Sequence, residues 1–224
     1  MSPAVIFDLD GTLTDSAPGI VRSTRQAMAR LNAIDGVERA IPGEAELRWI
    51  VGPPLQGSFA TLVGADRAPA LLKFYRERYE SVGIFENSLY EGVVDALDRL
   101  AARDYRLFVA TSKPEAYARR ILDHFNLTRY FVAIYGAEMD GRRSVKGELL
   151  AYLLGRERLA PAEAVMIGDR RQDAAGARAV GIPAIGALWG YGELEELTEA
   201  GADPLIESPT QIPSAVAAVF SRPQ

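Results

Sequence analysis

Two aspartates stand two residues apart in Asp8-Leu9-Asp10-Gly11-Thr12, so their side chains share a face for as long as an extended strand persists. Two more, Asp169 and Asp173, stand four apart and meet if the residues between them open a helix. Carboxylates gathered on one edge repel one another unless a cation sits among them. Mg2+ suits such a set, because it is hard, prefers oxygen and commonly bridges carboxylates to phosphate. Thr111-Ser112-Lys113 and Lys146 add hydroxyl and ammonium groups that hold phosphoryl oxygens. Gly11 lets the backbone approach an anion closely. The chemistry so assembled is phosphoryl transfer, which is mostly positioning plus charge stabilisation. Lysine usage points the same way. Only three of the 25 basic residues are lysines (Lys73, Lys113 and Lys146), and two of these fall in the candidate segments.

These residues need elements that bring them to one edge. Ala4-Val5-Ile6-Phe7 is a short apolar run that reads as a buried parallel strand, with Asp8 at its end. A second strand is expected over 107–110, a third over 131–135, a fourth over 165–167 and a fifth over 182–187. Helices are expected between them over 93–102, 115–124, 146–155 and 172–179, with another near 210–220. Strands alternating with helices give a parallel sheet of the α/β class. Ligands of such sheets bind outside the carboxyl ends of the strands, where Asp8, Thr111 and Asp169 fall. Between the first strand and the rest lie about 70 residues, far more than a βα connection needs. That block reads as helical throughout, over Pro18 to Leu31, 44–51, 54–63 and 69–82. An inserted cap is the simplest account: residues 1–14 and 87–224 form the core, and 15–86 the cap. Phe74, Tyr75 and Tyr79 are expected to fill the core of that block.

Composition excludes several alternatives. The 224 residues are 48% hydrophobic and 25% charged, which fits a globular chain rather than a disordered or fibrous one. The absence of cysteine removes disulfides, thiolate nucleophiles and Cys-ligated zinc. A single histidine, His124, removes His-rich metal sites; it reads as packing near a helix end. The net charge of −5, with no basic stripe, speaks against nucleic acid as a partner. No stretch approaches the ~18 apolar residues of a membrane span, so no membrane partner is expected. The first residues show no signal peptide, and the expected setting is cytoplasmic.

Each candidate also has a plain structural use. Asp8 and Asp10 would serve as turn residues, and Thr111-Ser112 would cap the helix after Pro114. Lys113 would suit a solvated loop and Lys146 an exposed helix face. Asp173 would complement a helix N-terminus. Trp189-Gly190-Tyr191-Gly192 reads as a turn after the last long strand. Arg48, Trp49, Gly52 and Pro53 either line a binding face of the cap or form a helix-breaking loop.

Taken together, Asp8-Leu9-Asp10-Gly11-Thr12-Leu13, Thr111, Lys146 and Gly168-Asp169 through Asp173 resemble the four ordered motifs of the haloacid dehalogenase-like superfamily. The helical block sits where that superfamily inserts its cap. The resemblance implies a Rossmann-like parallel-sheet core with an all-helical cap, and an Mg2+-dependent phosphomonoesterase working through an aspartyl-phosphate. It makes Asp8 the nucleophile and Asp10 the general acid and then base. Thr111 and Lys146 orient the phosphoryl group. Asp8, Asp10 (through its main-chain carbonyl), Asp169 and Asp173 make the metal site. Gly11, Ser112, Lys113, Arg48 and Gly52 are the candidates for phosphate and substrate binding. Asp10 separates phosphatase or phosphomutase members from dehalogenases, which lack a carboxylate there. The chain is most similar to the phosphoglycolate phosphatase-like branch and its 5′-nucleotidase-like group. Gly147, Arg170 and Glu91 depart from the phosphoglycolate phosphatase pattern, which bears on the substrate and not on the chemistry. A small phosphate ester is the expected partner, for a monomer or weak homodimer. The alternatives are a phosphomutase or phosphotransferase acting on a sugar phosphate, and a low-turnover phosphate-binding scaffold.

Overall fold

The computed structural model describes residues 2–221. The chain divides into two compact units: Asp15–Ser88 forms one, and the segments on either side of it form the other. In chain order, β1 (Ala4–Phe7) and β2 (Thr14–Asp15) precede a helical stretch of α1 (Ala17–Asp35), α2 (Leu55–Val63) and α3 (Ala68–Tyr79). Then come β3 (Ser88–Leu89), α4 (Val93–Ala101), β4 (Arg106–Pro114), α5 (Glu115–His124), β5 (Phe131–Ala137) and α6 (Lys146–Glu157). β6 (Ala164–Gly168), α7 (Arg171–Ala179), β7 (Ala184–Ala187), α8 (Leu194–Ala200), β8 (Leu205–Ile206) and α9 (Ile212–Ser221) complete the chain.

Six strands form one sheet in the order β5-β4-β1-β6-β7-β8, and every neighbouring pair is parallel. Counted within the sheet alone, that order is 3-2-1-4-5-6, the doubly wound arrangement. The direction of winding reverses between β1 and β6. The crevice outside the carboxyl ends of those two strands is therefore the natural ligand site. β1 is central and wholly buried, which is why its four residues are all apolar rather than alternating. Ile6, Phe108 and Met166, from three adjacent strands, pack with Leu149, Leu150 and Leu153 of α6. In α4 the buried residues Val93, Ala96, Leu97 and Leu100 follow the i, i+3, i+4, i+7 spacing of one helix face.

The helical unit has its own core. Phe59, Leu71, Tyr75 and Tyr79 are buried there, with Tyr75 edge-on to Phe59 at 5.5 Å and stacked on Tyr79 at 5.1 Å. Phe74 departs from expectation: it is half-buried, and the Arg30 guanidinium covers its ring at 4.2 Å. Arg78 grips Glu86 through two hydrogen bonds of 2.7 and 3.0 Å, and this holds the Glu86 carboxyl below its usual range.

Several elements differ in extent from the sequence reading. α1 runs on to Asp35 and stops at Gly36, whose left-handed conformation lets its N–H reach the Asn32 carbonyl. Residues 45–50 form a 3₁₀ turn rather than an α-helix. β4 continues past residue 110 to Pro114, so Thr111, Ser112 and Lys113 lie within a strand. The two-residue strands β2, β3 and β8 and the short helix α8 were not expected. His124 sits at the end of α5, exposed and edge-on to Phe125 at 4.9 Å. Among the described residues, no helix is long and apolar enough to cross a membrane.

Leu153 is fully buried in the sheet-facing row of α6, away from the polar edge of the sheet. Leu153→Ala is expected to cost about 2–5 kcal/mol of unfolding free energy in urea titrations, by leaving a cavity there.

Candidate active site

The candidate side chains that reach the crevice do so for local reasons. Asp8 follows β1 directly, and its N–H continues the ladder by donating to the Ile167 carbonyl of β6 at 2.9 Å. The chain then turns tightly: the Leu9 carbonyl accepts from the N–H groups of Leu13 and Thr14 at 2.9 and 3.0 Å. Gly11 occupies this turn at φ 86°, and a Cβ there would run into the Asp169 carboxylate. Glycine is therefore required both by conformation and by space. Thr111 and Lys113 are both buried near the end of β4, where its pairing with β5 shifts register. Asp169 follows β6, and Asp173 lies in the first turn of α7, where its Oδ2 accepts the Arg170 N–H at 3.1 Å.

Lys146, the first residue of α6, is the hub. Only 4% of it is exposed. Its ammonium donates to the Ala110 carbonyl at 2.8 Å and lies 3.0 Å from Asp8 Oδ1 and 2.7 Å from Asp173 Oδ1. Burial works against the charge on Lys146, but the carboxylates of Asp173 and Asp8 more than reverse that, so its pKa stands above the ordinary lysine value. A second pair joins Lys113 to Asp10 Oδ2 at 2.6 Å, both side chains being almost completely buried.

Asp8, Asp169 and Asp173 each offer one carboxylate oxygen to a common point, all three lying within 4.8 Å of one another. Burial, together with repulsion from Asp173 and Asp8, raises the Asp169 carboxyl well above its usual range. Burial also lifts Asp173, to about 6, although Lys146 pulls the other way. Asp8 Oδ1, Asp173 Oδ1 and Asp10 Oδ1 are buried and accept no hydrogen bond of good geometry. Lys146 faces two of these three carboxylates, so the ionised cluster carries more negative charge than one ammonium balances. A divalent, oxygen-seeking cation is what that donor set fits.

Burial removes several of the plain uses. Lys113 is not a solvated loop residue, nor is Lys146 on an exposed helix face. Asp173 serves the start of α7 with one oxygen and faces Lys146 with the other. Thr111 is not a helix cap: α5 begins at Glu115, with Pro114 as N-cap and no side-chain cap, and Thr111 Oγ1 accepts the Lys113 N–H at 3.2 Å. Ser112 is not brought to the carboxylates. Its hydroxyl donates to the Ser144 carbonyl at 2.9 Å, pinning the segment before α6. Asp10 is likewise outside the three-carboxylate cluster, because its side chain is committed to Lys113. Arg48 and Gly52 belong to the helical unit: Arg48 is exposed on the 3₁₀ turn, and Gly52 follows at φ 104°.

Two participants had escaped the sequence reading. Thr12 Oγ1 donates to Asp169 Oδ1 at 3.2 Å, and the Tyr191 N–H donates to Asp169 Oδ2 at 2.7 Å. The second is a backbone group, so no side chain announces it. The Trp189–Gly192 segment does form a turn, as expected, and this turn abuts Asp169.

The doubly wound parallel sheet, with these carboxylates and lysines at its reversal point, agrees with the resemblance to haloacid dehalogenase-like hydrolases. The sequence profile described as haloacid dehalogenase-like hydrolase matches residues 5–187, and the chain belongs to that family. A 5′-nucleotidase of Pseudomonas aeruginosa is 44% identical over 197 residues, covering 87% of this chain and 86% of that protein. The tyrosine-protein kinase PtkA of Mycobacterium tuberculosis is 42% identical over 191 residues, covering 85% of this chain but only 64% of its own length. Among solved structures, a predicted phosphatase from Clostridium acetobutylicum superposes with a TM-score of 0.89 at 35% identity, covering 97% and 99% of the two chains. The enzyme is a phosphatase of this family.

Removing the hub leaves the buried carboxylates without their ammonium. Lys146→Met is expected to lower the unfolding free energy by about 3–5 kcal/mol in EDTA at pH 8. A carboxyl raised in the folded state weakens folding only where it must be ionised, so its penalty is present above its folded pKa and relieved below it. The deficit of Lys146→Met should therefore shrink as pH falls from 8 toward 5. A deficit that stays constant across that range would show that the carboxylates do not depend on Lys146.

Proposed function

We propose that the enzyme is an Mg2+-dependent phosphomonoesterase that transfers the phosphoryl group first to Asp8 and then to water. The observation that carries this reading is the Asp8 carboxylate at the sheet's reversal point, facing both Lys146 and the cluster it forms with Asp169 and Asp173. Asp8 attacks phosphorus as the bond to the leaving oxygen breaks, and Asp10 supplies the proton that oxygen needs. Water then attacks phosphorus of the aspartyl-phosphate, its proton passes to Asp10, and phosphate leaves with Asp8 restored. Mg2+ held by Asp8, Asp169 and Asp173, with the Asp10 main-chain carbonyl, would neutralise charge on the phosphoryl oxygens. Lys146 and Thr111 orient those oxygens. Lys113, a candidate for phosphate contact by sequence, serves better as the anchor of Asp10, to which it is paired.

The substrate favoured by this reading is a small phosphate ester, a 5′-nucleoside monophosphate or phosphoglycolate. The relative named 5′-nucleotidase supports the former. Arg48 and Gly52 are proposed to bear on the choice between them, and the helical unit to act as the cap. We place the activity in the cytoplasm, in a monomer or weak homodimer without nucleic-acid or membrane partners. The acid composition and the lack of cysteine support that setting. The relative named as a tyrosine-protein kinase favours a second reading, transfer to an acceptor hydroxyl in place of water.

Phosphate release from nucleoside monophosphates, phosphoglycolate and sugar phosphates, each with Mg2+ and with EDTA, tests the proposal. Release is expected with Mg2+ alone. Asp8→Asn should lose at least ~10⁴-fold in kcat while its fold, followed by circular dichroism, survives. Residual activity near wild type in Asp8→Asn would remove the assigned nucleophile. Loss of substrate into a phosphorylated acceptor without free phosphate would favour the second reading.

A further inference from the structure

We propose that the loop after β7, Trp189–Gly192, is the positioning element of the cation site, acting on Asp169 through backbone and indole contacts. The proposal rests on the reading that Asp8, Asp169 and Asp173 hold Mg2+, and assigns the affinity of that site in part to a loop that offers it no ligand. Three hydrogen bonds and the chain itself close a ring. Trp189 Nε1 donates to the Thr12 carbonyl at 3.0 Å, and Thr12 Oγ1 donates to Asp169 Oδ1 at 3.2 Å. The Tyr191 N–H donates to Asp169 Oδ2 at 2.7 Å, and the chain from Trp189 to Tyr191 completes the circuit.

Each oxygen of Asp169 thus receives one N–H or O–H donor and keeps its remaining lone pairs for a cation. With both oxygens held, the carboxylate is denied the rotation about its terminal bond that a free aspartate enjoys. Glycine at two positions makes the approach feasible. A Cβ on Gly190 would lie within 2.5 Å of both Asp169 Oδ2 and the Gly11 carbonyl oxygen, and one on Gly192 would overlap the Asp169 carbonyl. The loop therefore ties together the turns that follow β1 and β6, the two strands flanking the crevice. Groups that orient a metal ligand without touching the metal commonly govern affinity by 10- to 100-fold.

Magnesium binding to the full chain, followed by calorimetry, tests this. Four proteins suffice: wild type, Asp169→Asn, Trp189→Phe and Gly190→Ala. Asp169→Asn is expected to lose measurable binding. Trp189→Phe keeps the shape but removes the indole donor, and is expected to weaken Mg2+ binding about 10-fold. Gly190→Ala displaces Asp169 and should weaken it by about 100-fold. Because Gly190→Ala risks misfolding, Trp189→Phe carries the decision, with its circular dichroism matched to wild type. Hydrolysis of p-nitrophenyl phosphate supplies a second readout: the kcat of Trp189→Phe should return to wild type at saturating Mg2+, with KM for the ester unchanged. A general structural lesion would not be rescued in that way. Wild-type Mg2+ affinity in Trp189→Phe, or a kcat loss independent of Mg2+, would overturn the proposal alone. Absence of Mg2+ binding in wild type, or unchanged binding in Asp169→Asn, would instead overturn the cation reading and this proposal with it.

Discussion

One buried ammonium holds the site together. Lys146 reaches the Ala110 carbonyl, Asp8 and Asp173 at once, and so links the middle of β4 and the end of β1 to the first turn of α7. An ion so buried is costly unless geometry repays it. Here two carboxylates repay it, and their own burial is tolerable only because it is present. The arrangement still leaves the three-carboxylate cluster with more negative charge than one lysine can answer. Structure and chemistry therefore share a cause: the charge imbalance that makes the bare site unfavourable is what would draw in a cation and, with it, a phosphate ester.

The sheet makes this possible at low cost elsewhere. β1 spends four residues on nothing but burial, and everything polar begins at the next residue, Asp8. The reversal of winding between β1 and β6 opens space at that point. Gly11, Gly168 and Gly190 then keep it small enough for carboxylates to converge, since a side chain at any of them would overlap Asp169 or Asp173. Lys113 and Asp10 form a second, separate charge pair on the same edge. Charges on this edge are thus held in two groups rather than dispersed.

Much of this was legible in the sequence, for a physical reason. A parallel sheet displays its working residues just beyond short apolar runs, and Asp8, Thr111 and Asp169 each stand there. The extent of β4 was not legible, because Thr111-Ser112-Lys113 is polar and the pairing of β4 with β5 shifts register between Thr111 and Pro114. Ser112 looked equivalent to its neighbours, and only the fold brings the Ser144 carbonyl to its hydroxyl. Two-residue strands such as β2 and β8 are too short to show any period. Thr12 and Tyr191 were missed for a different reason. Tyr191 acts through its main-chain N–H, which every residue except proline possesses, and Thr12 acts on Asp169 from 157 residues away. Only the approach of the turns in space reveals either.

Asp8 as a covalent phosphoryl acceptor is the claim on which the functional reading stands. Borohydride reduction of enzyme quenched during turnover, followed by peptide mass spectrometry, tests it most directly. Reduction of an acyl phosphate at Asp8 converts that side chain to the alcohol, so homoserine is expected at position 8 in the presence of substrate and Mg2+ and not in their absence. Steady phosphate release with position 8 unmodified under the same quench would contradict the account.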